Sequence, residues 1–277
     1  QVGSSAASDV YKRQTDNCPG FGSVAKYVAI SAKEASLDVK SMCKTSTKVF
    51  VLEVMGRHAG WIAAAGELAN NAKQTFVHKI LLPEVSFDED KFLNGVEKDV
   101  GEHGYSVIVA SEGLKNENGE LYASSTETDS FGHNQLGGLA PKIASLITEK
   151  LGLKNHWSVA DYLQRSARHI SSLTDIEQAV AVGKAAVKLA AEGKSGVMPV
   201  IKRISDSPYE WSISEGDLNE IANEEKTLPK HFISSDGFGI TKAGRDYLQP
   251  LIEGESFPKF SNGIPIYEGL DLHLRKI

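Results

Sequence analysis

The sequence predicts an α/β protein built on an open parallel sheet with helices on both faces. Two observations carry this. The strand candidates Lys48–Val54, Lys79–Leu82 and Ser106–Ala110 are short, continuous apolar runs rather than alternating ones, and segments of helical spacing separate them. Strands buried on both faces and linked by helical crossovers read in that way. A chain of 277 residues, 41% hydrophobic, is also long enough for one large domain or two intertwined ones.

Residues 1–14 carry neither helical nor strand periodicity and read as a non-native leader joined to Thr15-Asp16. The Pro19-Gly20 turn opens an amphipathic helix over Ser23–Ser36, with Val24, Tyr27, Val28 and Ile30 at helical spacing. The strand to Val54 follows, then a tight turn at Met55-Gly56-Arg57 and a helix over His58–Asn70. Pro83 ends the next strand, and Ser86-Phe-Asp-Glu89 has capping-box spacing for a helix. After Ser111-Glu112-Gly113 comes a polar excursion, Leu114 to Gly138, containing the turn signal Asn118-Gly119. A helix over Pro141–Lys150 ends near Gly152, and Thr174-Asp-Ile-Glu177 has the spacing of a second capping box, opening a helix that closes at Gly193. Its Ala179, Val182, Ala186 and Leu189 form the expected packing stripe. Val197–Ile201 reads as a strand. The rest reads as a packed extension with helices near Asp217–Lys226 and after Thr241, and turns from Pro258 to Gly269.

Composition excludes several classes of function. Net charge is -6 and the basic residues are scattered, so the electrostatic footprint of a nucleic-acid binder is missing. Cys18 and Cys43 are too few for a disulfide framework and lack zinc-site spacing. No run approaches the roughly 20 apolar residues of a membrane span, and a soluble cytoplasmic protein is expected. Eight histidines without His-x-x-x-His pairing argue against a tightly bound transition metal, and Gly132-His133-Asn134 reads as a surface loop.

Ligands of open parallel sheets bind at the carboxyl ends of the strands, where this sequence places Met55-Gly56-Arg57 and Glu112. Gly56 lets backbone approach a ligand, a helix start beyond it offers N–H groups, and Arg57 adds a fixed positive charge, which together suit an anion. Tyr162 and Arg165 sit three apart, so one turn presents a phenol and a guanidinium on one side, and the guanidinium fork matches phosphate oxygens. Arg168 and His169 read as structural or surface residues.

Met55-Gly56-Arg57, Ser111-Glu112-Gly113 and Tyr162-Leu-Gln-Arg165, in this order and spacing, closely resemble the sugar-phosphate elements of phosphofructokinases. Thr15-Asp-Asn-Cys-Pro-Gly-Phe-Gly-Ser23 resembles the segment just after that family's Thr-x-Asp-Asn-Asp catalytic element, so the likeness covers about residues 15–270. The wording of His58-Ala-Gly-Trp61, and Tyr162 where ATP-using bacterial enzymes carry histidine, resembles the pyrophosphate-dependent branch.

The resemblance implies phosphoryl transfer from pyrophosphate to the 1-hydroxyl of fructose 6-phosphate, a glycolytic step, with magnesium as cofactor and a homodimer as the working form. Met55 and Gly56 would line the sugar, Arg57 would contact sugar or the transferring phosphate, Glu112 would accept a sugar hydroxyl, and Tyr162 with Arg165 would hold the 6-phosphate. Residues 15–163 would form the sugar-phosphate domain, and residues 164–277 the remnant of a donor domain with a C-terminal extension. The family's Gly-Gly phosphate loop and catalytic Asp would lie upstream of Thr15. Asp9 does not reproduce them, so no catalytic or metal-binding residue is assigned and this chain alone is expected to be inactive. The positions at which bacterial ATP enzymes carry arginines that reach across subunits fall near Lys48 and His156. An ATP-dependent 6-phosphofructokinase and a non-catalytic sugar-phosphate-binding module stay open as alternatives. Loss of the donor strands would leave apolar surface and a tendency to associate.

Overall fold

The computed structural model describes residues 14–123, 138–221 and 225–267. Its centre is a four-stranded sheet of β1 (Val49–Val54), β2 (Lys79–Leu81), β3 (Ser106–Ser111) and β4 (Asn155–Val159), in the order β2-β3-β1-β4. All three pairings are parallel, with Val49 opposite Ser106 and Asn155, and Lys79 opposite Ile108.

The period-2 geometry of the strands divides their side chains between two cores. Leu52, Val54, Ile80, Val107 and Val109 point to one face, covered by α1 (Phe21–Met42), the short α2 (Trp61–Ala64) with the 3-10 turn Ala65–Ala69, and Leu248 and Leu251. Val49, Val51, Leu81, Ile108 and Ala110 point to the other, covered by α3 (Glu89–His103) and α4 (Leu139–Leu151). Helices on both faces explain why β1 and β3 are apolar without alternation. The edge strand β4 is different: Trp157 is 49% exposed and Val159 38%.

α1 begins at Phe21, earlier than the apolar spacing indicates, and runs to Met42. Its N-terminal amides are met from far along the chain. Asp175 accepts the Gly20 N–H at 2.7 Å and the Ser23 N–H at 3.0 Å. Both expected capping boxes are displaced. Asp88, not Ser86, caps α3 by accepting the Lys91 N–H at 2.9 Å, while Ser86 is held extended in a bridge with Lys115. Ser172, not Thr174, caps α6 (Leu173–Ala191). The Ser172 hydroxyl donates to Leu251 O, and the Thr174 hydroxyl is turned onto Glu253 O.

The expected stripe on α6 is also corrected. Asp175, Gln178 and Leu189 are its buried residues, whereas Ala186 is exposed and Val187 is 71% exposed. Two polar residues face inward because Asp175 anchors α1 and Gln178 accepts from Asn17 and donates to Tyr209. Val197–Ile201 belongs to a longer strand, β5 (Val197–Asp206), which pairs antiparallel with β6 (Tyr209–Asp217) as a separate hairpin. Among the described residues the helix expected near Asp217–Lys226 is α7 (Leu218–Ile221), which starts one residue late because Asp217 still belongs to the ladder. α8 (Lys242–Leu248) is capped by Thr241 as expected. Asp9 and Gly132-His133-Asn134 lie outside the described residues.

Candidate functional site

β1 and β3 are neighbours whose following helices leave to opposite faces: α2 to one, α4 to the other. Such a divergence opens a crevice at the carboxyl ends of the strands. Met55-Gly56-Arg57 leaves β1 there, Glu112 leaves β3, and Tyr162 and Arg165 follow β4. All six expected residues therefore lie on three adjacent strand ends.

Side chains from both neighbouring strand ends hold the turn after β1. Glu112 accepts the Gly56 N–H at 3.1 Å, and Gln164 accepts the Met55 N–H at 3.3 Å. Ser111 donates its hydroxyl to Gly56 O at 2.7 Å, and the Gly113 N–H donates to the same oxygen at 3.1 Å. Gly56 has φ +149°, and a Cβ there would lie 2.9 Å from Ala59 O and overlap the Ser111 hydroxyl. Glycine at 56 thus serves close packing inside the protein, as does Gly113, where a Cβ would overlap Arg57 O.

The expected helix over His58–Asn70 is present from Trp61, as α2 continued by the 3-10 turn Ala65–Ala69, but His58–Gly60 is non-helical and the helix start does not serve the site. The Gly60 N–H donates to Glu84 at 2.9 Å, and Glu84 also accepts the Leu228 N–H. That terminus already has its carboxylate. Positive charge beside the turn comes from the half-buried Arg57.

Burial pushes the Glu112 carboxyl above the usual carboxylate range, opposed by the Gly56 N–H; Glu53 and Asp161 push the same way and Arg57 opposes. Glu53 is also raised, chiefly by burial, and accepts the Ala140 N–H at the start of α4 at 2.7 Å. Among the described residues no group of three or more His, Cys, Asp or Glu is placed to hold a metal ion.

Tyr162 is 67% exposed, and the Arg165 guanidinium carbon lies 5.1 Å from the centre of its ring. The pair shares one short turn, α5 (Leu163–Ser166), as the spacing of three predicts. Arg168 instead donates to the Ser256 hydroxyl at 3.3 Å and to the Ser256 carbonyl, which ties it to the C-terminal segment. Lys48 stands at the opposite end of β1, its ammonium donating to Cys43 O, and His156 is exposed within β4. Gln164 was not among the expected site residues. Its signal was its place between Tyr162 and Arg165, and it is 2% exposed.

A phosphofructokinase family model matches residues 4–190. The chain belongs to the phosphofructokinase family. Within the family it is 59% identical over 253 residues to the pyrophosphate–fructose 6-phosphate 1-phosphotransferase of Methylococcus capsulatus, covering 91% of this chain and 60% of that one. It is 57% identical to the protein of the same name from Halomonas elongata, covering 94% of this chain and 62% of the relative. The fold matches the crystal structure of the pyrophosphate-dependent phosphofructokinase from Nitrosospira multiformis with a TM-score of 0.85 and 53% identity, over 94% of this chain and 62% of that one. The chain thus spans about three fifths of the length of these relatives. No helix among the described residues is long and apolar enough to cross a membrane.

Proposed function

We propose that this chain supplies the acceptor half of a pyrophosphate-dependent phosphofructokinase, which transfers a phosphoryl group from pyrophosphate to the 1-hydroxyl of fructose 6-phosphate. The observation that carries the reading is the convergence of Arg57, Glu112 and the Tyr162–Arg165 pair on three adjacent strand ends. Arg165 offers a fork of N–H donors to the 6-phosphate, and the Tyr162 hydroxyl adds a donor beside it. Glu112, with one oxygen on the Gly56 N–H, keeps the other for a sugar hydroxyl. Met55 and Gly56 line the sugar, and Arg57 offsets charge on the sugar or the transferring phosphate. Catalysis of this kind depends mainly on positioning and electrostatics. The names of the relatives support pyrophosphate as donor and fructose 6-phosphate as acceptor.

Residues 15–163 act as the acceptor domain, residues 164–277 as part of the donor side, and the working form is a cytoplasmic homodimer. By itself the 277-residue polypeptide binds fructose 6-phosphate and does not turn it over. Calorimetric titration with fructose 6-phosphate, beside Arg165→Ala, tests the acceptor site. Saturable binding that the variant loses by at least about tenfold is expected, since a charge-assisted hydrogen bond is worth ~1.5–3 kcal/mol. A folded chain that binds no fructose 6-phosphate overturns the reading. Fructose 1,6-bisphosphate formed at a substantial rate from pyrophosphate overturns the claim of inactivity alone.

A further inference from the structure

Gln164 joins two turns that the proposed substrate would bridge. Its carbonyl oxygen accepts the Met55 N–H at 3.3 Å, and its amide nitrogen donates to Asp161 O at 2.9 Å. The orientation of the amide follows from chemistry, since only the oxygen can face an N–H and only the nitrogen a carbonyl. The side chain is 2% exposed, so water does not substitute for either bond. At Asp161 the chain takes φ +38°, a left-handed conformation rarely adopted outside glycine. That residue directly precedes Tyr162, so the peptide Gln164 holds is the one that sets where the Tyr162–Arg165 turn begins.

We infer that Gln164 is the positioning residue that sets the distance between the Met55–Arg57 turn and the Tyr162–Arg165 turn, and so matches the site to a sugar phosphate spanning both. The inference rests on the reading of this crevice as a fructose 6-phosphate site. Gln164 touches no reacting atom in this role; it acts through the Met55 amide and the Asp161 carbonyl. Asparagine is one carbon shorter and cannot reach both groups, and leucine or methionine would fill the space while leaving both groups unpaired.

The test uses the full chain as Gln164→Met and Gln164→Glu. Hydrogen exchange without ligand is read over 55–57 and 161–165, and fructose 6-phosphate is titrated separately. In Gln164→Met, exchange is expected to rise at least about tenfold in both segments, because each loses a buried partner. Fructose 6-phosphate affinity is expected to fall by about tenfold. Gln164→Glu keeps volume and the acceptor, so protection at Met55 returns while 161–165 stays open; it also serves if the methionine variant does not fold. A rise confined to 161–165 in Gln164→Met overturns the inference, as does unchanged fructose 6-phosphate affinity in a variant with both segments loosened. If both segments loosen but the unmodified chain binds no fructose 6-phosphate, the substrate reading fails while the link between the turns stands.

Discussion

Among the described residues two arginines lie against tyrosine rings, in different surroundings. Arg203 on β5 lies 4.0 Å from the ring centre of Tyr247 and 4.6 Å from that of Tyr209. Its Nε donates to both Asp16 oxygens at 3.1 and 3.0 Å, and its other nitrogens reach Asp206 and Tyr247 O. Tyr247 and Tyr209 complete the shell by donating to Asp16 at 2.6 and 3.2 Å. Arg165 lies 5.1 Å from the ring of Tyr162, which is 67% exposed. A guanidinium enclosed on every side fastens the N-terminal segment to the hairpin and to α8. In the proposed site, the one beside an exposed phenol at the strand ends meets the 6-phosphate. Residue type alone does not separate these two settings; the exposure of the neighbouring ring does.

The largest expected effect breaks the fastener. Arg203→Ala leaves the Asp16 carboxylate, 9% exposed, without its cation. Stripping one partner from a buried pair costs about 3–5 kcal/mol, which urea unfolding would register. Arg165→Ala should lower stability by less than Arg203→Ala does, while losing fructose 6-phosphate. Equal loss of stability in the two variants would erase the distinction.

Next comes Gly113→Ala. The added Cβ meets the carbonyl of Arg57, which is backbone and cannot swing away, so the turn after β1 must shift. A cost of about 1–3 kcal/mol, typical of overpacking, is expected together with weaker sugar-phosphate binding. Normal affinity with lowered stability would show that the turn does not bear on the ligand.

A smaller effect concerns a half-buried group away from the strand-end crevice. His78 is pushed down from 6.5 to about 3, first by burial and then by His103 and Lys79. Its pKa is lower in the folded chain, so the unfolded chain binds the proton more readily. The stabilisation is present above about pH 6.5 and is lost as pH falls toward 3. Unfolding at about pH 5.5 and pH 7.5 should differ by roughly 1 kcal/mol from this group, and His78→Gln should remove that difference. An unchanged slope in the variant would place the pH dependence elsewhere.

The smallest effect sharpens the site itself. Tyr162→Phe keeps the ring beside Arg165 and removes only the hydroxyl. Stability should stay within about 0.5 kcal/mol, and fructose 6-phosphate affinity should fall several-fold if the hydroxyl donates to the phosphate. Unchanged affinity would leave Tyr162 as a support for Arg165.

The sequence by itself determined three of the four strands, β1, β2 and β3, and the strand ends that carry Met55-Gly56-Arg57 and Glu112; β4 is largely exposed, carries no continuous apolar run, and is set by its pairing with β1. Continuous apolar strands and interposed helices report only which surface each segment must bury, and that information is local. The Met-Gly-Arg element was legible because it directly follows an apolar strand, and Tyr-x-x-Arg because of its spacing of three and its resemblance to a family element. Tertiary structure decided the partners. Asp175 caps a helix 152 residues away in sequence at Ser23, and Ser172 rather than Thr174 caps its own helix because Leu251 and Glu253 orient the two hydroxyls. The place of Tyr209–Asp217 in a hairpin apart from the parallel sheet depends on its antiparallel pairing with β5. Gln164 looked like a spacer between two binding residues until the end of β1 came within reach of its amide. A hydrogen bond depends on distance in space, and separation along the chain does not report that distance.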